Sequence, residues 1–242
     1  MFKLLQGELY RLLHKKSMYI YFGILAIAYA VLIYVRSGGF TSQSVVEDAV
    51  NYFYLLPALA GGFLFAAVYT DDLNSKNLSV LVGYGIDKTK VVITKFILMA
   101  LVSVLVFMLA VIFHSVMYAL LGWAPSAHDG LMLWAIALKY YLTTVAFAVL
   151  SGIVVYGLQR TTFAMVLYIL LAFNVISGLF SMVLKSFAPT LTAYLMSGIS
   201  DRIMLAVTSG GSVSMPIIEY ALYVVIAGAL SVLAFHKKEM EF

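Results

Sequence analysis

The stretch Phe96–Leu121, FILMALVSVLVFMLAVIFHSVMYALL, contains no charged residue. A helix needs roughly 17–25 apolar residues to cross a bilayer core of about 30 Å, and this stretch is long enough. A lone span in hydrocarbon satisfies its backbone groups only internally, so the stretch is helical. Five more stretches meet the same standard: Met18–Val35, Tyr52–Tyr69, Tyr140–Leu158, Thr162–Leu184 and Ile217–Phe235. The fold this predicts is an all-α membrane protein with six transmembrane helices in one domain covering 1–242. The fourth span is bounded least sharply, because Leu131–Leu138 is also apolar and Lys139 interrupts the run. The reading places Lys139, Tyr140 and Tyr141 at the outer interface, where a lysine snorkels and aromatics anchor.

Composition agrees with lipid as the solvent. Of 242 residues, 64% are hydrophobic and 11% charged, and the mean hydropathy is +1.03. A soluble domain is nearer half apolar and a quarter charged. Cysteine is absent, which excludes a disulfide framework, thiolate metal sites and a Cys nucleophile. No secretory signal is evident: the first apolar run is too long, and membrane-grade sequence, Val31 to Val35, follows its small residues.

The basic residues set the orientation. With the N-terminus inside, Lys3, Arg11, Lys15, Lys16, Lys76, Lys88, Lys90, Lys95, Arg160, Lys237 and Lys238 are cytoplasmic. Of the 15 basic residues, only Arg36, Lys139, Lys185 and Arg202 fall outside. This asymmetry puts both termini in the cytoplasm, in a multi-pass protein of the cytoplasmic membrane.

Three segments outside the spans carry helical patterns. Residues 1–16 space Phe2, Leu5, Leu9, Leu12 and Leu13 as one helix face, with Lys3, Glu8, Arg11 and Lys15 mainly elsewhere. That describes an amphipathic helix in the cytoplasmic interface, its basic side toward anionic headgroups. The plainer alternative is a positive flank that only orients the first span. The loop 71–95, DDLNSKNLSVLVGYGIDKTKVVITK, is the longest cytoplasmic one. Asp71 or Asp72 caps a helix start, Leu73, Leu78, Leu81 and Val82 are its apolar positions, and Gly83 or Gly85 ends it. Asp87 then caps the helix that carries Lys88, Lys90 and Lys95 into the third span. A helix of about ten residues is about 15 Å long, more than a connector requires; it reads as a docking element or as a short surface helix. Outside, Lys185–Met215 is long and apolar. Pro189 suits a first helical turn, Leu191, Leu195, Ile199, Ile203 and Leu205 continue at helical spacing, and Gly198, Gly210 and Gly211 divide the segment into short helices before Pro216 opens the sixth span. A simple interfacial loop is the alternative.

Chemical motifs are scarce. GYGIDKT, Gly83 to Thr89, lacks the Gly that a phosphate loop needs before its Lys, and Asp87 there opposes phosphate. Neighbouring His114 and Ser115 point to different helix faces, which rules against a Ser–His pair, and the four histidines are too scattered for a metal pair. The chain therefore reads as no enzyme, without catalytic or metal-binding residues, without a cofactor of its own and without a nucleic-acid partner. Polar residues within spans usually face protein or water. Asn174 heads the candidates for a transport path, followed by His114, Thr143 and Thr144; the alternative roles are hydrogen bonds between helices or to a helix's own backbone. No acid lies deep in a span, which disfavours an ion-driven carrier. The 17 Tyr and 16 Phe cluster near span ends as interfacial belts, or line a path for amphipathic cargo.

The start MFKLLQGELYRLLHKKSMY, the six spans and the stretch NLSVLVGYGIDKTKVVITKFI together resemble the permease subunits of ATP-binding-cassette type-2 exporters. The likeness runs over the whole chain, and its most specific part is Leu81–Lys95. The resemblance implies that 1–16 is an elbow helix and 72–82 a coupling helix between spans 2 and 3, seated on a separate ATPase subunit that binds ATP and Mg. It also implies short outer-leaflet helices between spans 5 and 6. Asp72, Leu73, Lys76, Asn77, Leu78, Leu81, Tyr84 and Gly85 become the docking residues. The implied partners are that ATPase, a second permease copy or a paralogue, and the lipid membrane. The loop looks most like members that handle lantibiotics and other antimicrobial peptides, which implies amphipathic peptide cargo. It departs from polysaccharide and drug exporters, which often carry Pro where Tyr84-Gly85 stands. The competing expectation is a scaffold, a channel subunit or a toxin-binding immunity protein without energy coupling.

Overall fold

A computed structural model describes residues 1–36, 41–74 and 77–237, with the backbone alone for 42, 71–74 and 77–79. All regular elements among the described residues are helical. In chain order they are α1 (Phe2–Leu13), α2 (Lys16–Val35), α3 (Ser42–Phe53), a π-helical turn (Pro57–Gly61), α4 (Gly62–Asn74), α5 (Asn77–Gly83), α6 (Lys88–Leu120), α7 (Ala127–Leu158), α8 (Thr161–Ala172), α9 (Val175–Phe187), a 3₁₀ turn (Pro189–Tyr194), α10 (Met196–Ser209) and α11 (Ser214–Lys237).

Among the described residues, five helical stretches are long and apolar enough to cross a membrane: Lys16–Val35, Gln43–Thr70, Lys88–Leu120, Ala127–Leu158 and Ser214–Lys237. The pair α8 and α9, bent by 57° at its break, counts as a sixth if it is taken as one span. The fold is thus all-helical and compatible with a multi-pass membrane protein. Ile24 and Ile27 on α2 are 63% and 67% exposed. Apolar surface of that kind fits lipid and is unfavourable against water.

Several boundaries differ from the sequence reading, each for a physical reason. The second span begins well before Tyr52. Thr41 caps α3, its side chain accepting from the Ser44 backbone N–H while the Ser44 side chain accepts from the Thr41 N–H. The polar Asp48 is accommodated because Tyr118 donates to its Oδ2 at 2.5 Å and Arg36 pairs with its Oδ1. The fourth span likewise starts early, at a reciprocal cap between Ser126 and Asp129. Lys139 does not interrupt it, because the Lys139 ammonium meets Asp201 Oδ1 at 2.5 Å. The fifth span is not straight. Asn174 sits at φ 55°, a left-handed conformation that Asn tolerates better than most residues. Between the last two spans, Pro189 opens a 3₁₀ turn as expected and Gly210, at φ 70°, ends α10; Gly198 lies within α10 and does not divide it.

Helix α7 packs against α3, α6, α8, α10 and α11 and forms the centre of the bundle. Its small residues Ala135, Ala146, Ala148 and Ser151 are buried, which lets neighbouring backbones approach closely. The tightest approach is at Gly61, in the π-helical turn. Tyr168 donates to the Pro57 carbonyl at 2.9 Å directly beside it. A Cβ on Gly61 would collide with the Tyr168 hydroxyl and lie 2.8 Å from Thr144 Cγ2. We predict that Gly61→Ala lowers the unfolding midpoint of the detergent-purified chain, consistent with about 1–3 kcal/mol of overpacking. Adding Tyr168→Phe removes the hydroxyl and should recover part of the loss; a midpoint unmoved by Gly61→Ala would contradict this packing.

Candidate functional site

Helix α1 is anchored by more than its apolar face. Leu12 is fully buried, and Leu5 and Leu9 pack against the core. Glu8, expected among the outward polar residues, instead turns inward. Its Oε2 lies 2.9 Å from the Lys95 ammonium and 2.9 Å from Arg11 Nη2. Lys95 is 2% exposed, and its Nζ also reaches the Val68 carbonyl at 3.5 Å. A buried ammonium demands a counter-charge, which the wheel pattern of α1 alone does not reveal. The pair connects α1, α4 and α6. Burial pushes the Glu8 carboxyl up, but the Lys95 ammonium and then the Arg11 guanidinium more than offset this, so its pKa lies below the ordinary 4.5.

Helix α5 ends in a complete backbone stop. Gly85 N–H donates to Val82 O at 2.9 Å, and Ile86 N–H to Leu81 O at 3.1 Å, with Gly85 at φ 81°. These two bonds define a Schellman ending, whose left-handed position glycine fills without strain. Ile86 and Val82 pack into the core. Asp87 then caps α6, accepting from the Thr89 N–H at 3.1 Å. The Lys88 ammonium donates to the Phe235 carbonyl at 3.0 Å, and the Thr89 hydroxyl sits 3.1 Å from His236 Nε2. One end of the bundle therefore gathers α1, α5, the start of α6 and the end of α11.

The docking residues read from sequence divide accordingly. Asp72 and Leu73 belong to the last turns of α4, so an acid here continues the second-span helix and does not cap a new one. Asn77 and Leu78 open α5. Lys76 lies outside the described residues. Leu81 is half-buried, Val80 is exposed, and Tyr84 is 83% exposed. Gly85 serves the chain reversal itself.

A second feature lies where two helices lose regularity. A cavity of about 110 Å³ is bordered by Pro57 of the π-helical turn and by Ala172 and Asn174 at the bend between α8 and α9. Tyr54, Lys139, Tyr140 and Thr143 line another side, and Ser197 and Asp201 of α10 close it. Tyr54 donates to the Phe173 carbonyl at 3.5 Å, the last carbonyl before the bend. Asn174 Oδ1 is buried without a hydrogen-bond partner.

Of the four path candidates, the structure brings Asn174 and Thr143 together here. Thr144 is buried close by, but its hydroxyl bonds the Tyr140 carbonyl of its own helix at 2.8 Å. His114 is elsewhere. Its Nε2 faces the Val45 carbonyl at 3.2 Å, and a carbonyl only accepts, so Nε2 carries the proton. Nδ1 then accepts from the Tyr29 hydroxyl at 2.5 Å. That bridge joins α2, α3 and α6 and serves packing. The sequence reading missed Asp201 and Pro57 and took Lys139 only for an anchor. A lysine within an apolar run was the available signal, because such a charge requires a partner.

Among the described residues, no group of three or more His, Cys, Asp or Glu is placed to hold a metal. The chain matches no family model, and no curated protein matches it. What the fold defines is the class: an all-helical protein with five or six helices fit to cross a membrane.

The clamp is testable through pH. Since the folded pKa of Glu8 is lowered, its contribution is complete above 4.5 and fades as the pH falls through the lower folded value. Near neutral pH, where Glu8 is ionised, trypsin should leave the α1 sites Arg11 and Lys15 uncut. Glu8→Gln should expose these sites at neutral pH, a loss of order 3–5 kcal/mol for a broken buried pair. Equal protection of the variant would refute the clamp.

Proposed function

We propose that the chain is the transmembrane subunit of an ATP-driven exporter of the cytoplasmic membrane, with both ends inside. It forms the translocation path and couples it to a separate ATPase that binds ATP and Mg. A second copy or a paralogue completes the path, and amphipathic peptides are the cargo. The observation that carries this reading is α5 with its stop. A connector between two spans needs no helix ended by such a stop, with Val82 and Ile86 packed on the core while Val80 and Tyr84 stay exposed. Exposed apolar and aromatic residues at the end of a helix suit a partner's groove.

Two further observations support the assignment. Arg36, Lys139 and Arg202, at or toward the opposite end, are matched by Asp48, Asp201 and Glu219. The greater number of Lys and Arg residues falls at the α5 end, which is the cytoplasmic side under the positive-inside rule. The cavity beside Asn174 and Thr143 supplies a polar stretch of path, and the sequence offers no phosphate loop, so nucleotide hydrolysis belongs to a partner.

Coupling requires that α5 bind the two states of the ATPase differently, since equal contact in both shifts nothing. Tagged chain purified from native membranes should bring an ATPase with it. The double variant Lys76→Glu/Leu81→Asp should lose that companion while keeping its own expression and unfolding midpoint. Unchanged co-purification would remove α5 as the docking element, and no ATPase with the unaltered chain would remove the exporter reading.

A further inference from the structure

The geometry points to the cavity beside Asn174 as a binding site for a primary ammonium group, held closed in this state by the ammonium of Lys139. The inference starts from where the protons go. The Tyr54 hydroxyl is committed to the Phe173 carbonyl at 3.5 Å, Tyr140 to the Val50 carbonyl at 3.3 Å, and Thr143 to the Lys139 carbonyl at 2.8 Å or Ser200 Oγ at 3.2 Å. Each hydroxyl carries one proton, so these three retain only lone pairs to offer the cavity. Asn174 Oδ1 has no partner. Asp201 uses Oδ1 for Lys139, which leaves its second oxygen. These oxygens are acceptors, one of them on a carboxylate, and together they match a cationic ligand with N–H donors.

An anion would find one cation, Lys139, already paired. A bare metal ion would leave most of the space unfilled, since about 110 Å³ is several times the roughly 15 Å³ one water needs on a comparable measure. A quaternary ammonium would fit by size but has no proton for Asn174.

Lys139 shows how an ammonium sits here. Its Nζ lies 2.5 Å from Asp201 and 5.1 Å from the centre of the Tyr140 ring, the geometry by which an aromatic face attracts a cation. Its side chain is 20% exposed, and its four-carbon stem allows the charge to withdraw to water. An incoming ammonium therefore replaces Lys139 at Asp201, one cation for another, and the cavity's charge is unchanged. Lys139 is the tethered competitor. As a step in transport this rests on the exporter reading and names the cargo group the path recognises; as a binding site it stands on the cavity alone.

The test uses the full chain in detergent, without ATP or partner, titrated at fixed ionic strength with ethylammonium or tetramethylammonium chloride while the unfolding midpoint is followed. Ethylammonium should raise the midpoint saturably and tetramethylammonium should not. Lys139→Gln should lower the half-saturating concentration about tenfold, as expected when a self-competitor leaves roughly a tenth of the sites competent. Asp201→Asn and Asn174→Leu should abolish the response. Equal responses to the two salts, an unmoved half-saturation in Lys139→Gln, or a full response in a folded Asp201→Asn chain would overturn the site. Its failure would leave ATPase co-purification untouched, and loss of co-purification would leave this titration untouched.

Discussion

Lys95 stands at the start of the long helix α6 with its ammonium sealed from solvent, and Glu8 is the carboxylate that makes this tolerable. Removing an ion from water costs several kcal/mol, which only a close counter-charge and added hydrogen bonds offset. Helix α1 must therefore fold back over α6 for the core around it to close. The Val68 carbonyl contact extends the clamp to α4, and the Lys88 bond to the Phe235 carbonyl extends it to α11. Helix α5 hangs between two helices whose facing ends are both fixed. On the exporter reading, a force on α5 acts on rigid bodies, which is the mechanical condition for a lever.

The same concern with unpaired polar groups explains the cavity. A break in a membrane helix frees carbonyls that lipid cannot satisfy. Here two breaks face one another, and tyrosines from the opposite helix reach across each. Tyr168 of α8 serves the Pro57 carbonyl, and Tyr54 serves the carbonyl of Phe173. The irregularities thus support each other and leave a polar space between them, at the kind of interrupted-helix pair where membrane proteins place ligands.

Much of this was legible in the sequence. Long apolar runs define spans because lipid admits few alternatives, and the chain's α2, α6 and α11 lie close to where they were expected. The Asp87 cap and the glycine stop near Gly85 were also readable, since both follow from local backbone chemistry. Long-range pairing was not. Asp48 hides α3 inside a stretch that looks like a polar loop, because its partners Arg36 and Tyr118 lie on other elements. Lys139 resembled an interfacial anchor until Asp201, on a distant helix, was seen beside it. Glu8 fits a polar face on any wheel, and only the approach of α6 turns it inward. Asn174 drew notice as a polar residue within a span, but its left-handed backbone and the resulting bend leave no periodic trace.

The most direct test is a double-mutant cycle on the pair that holds the α5 end together. Unfolding free energies would be compared for the parent chain, Glu8→Gln, Lys95→Gln and the two combined. A buried clamp predicts that Glu8→Gln strands the Lys95 ammonium while Lys95→Gln leaves Glu8 on Arg11, so the double variant loses at least about 1 kcal/mol less than the sum of the singles. Strictly additive losses would mean that Glu8 and Lys95 do not depend on each other, and α1 would then be no part of the lever.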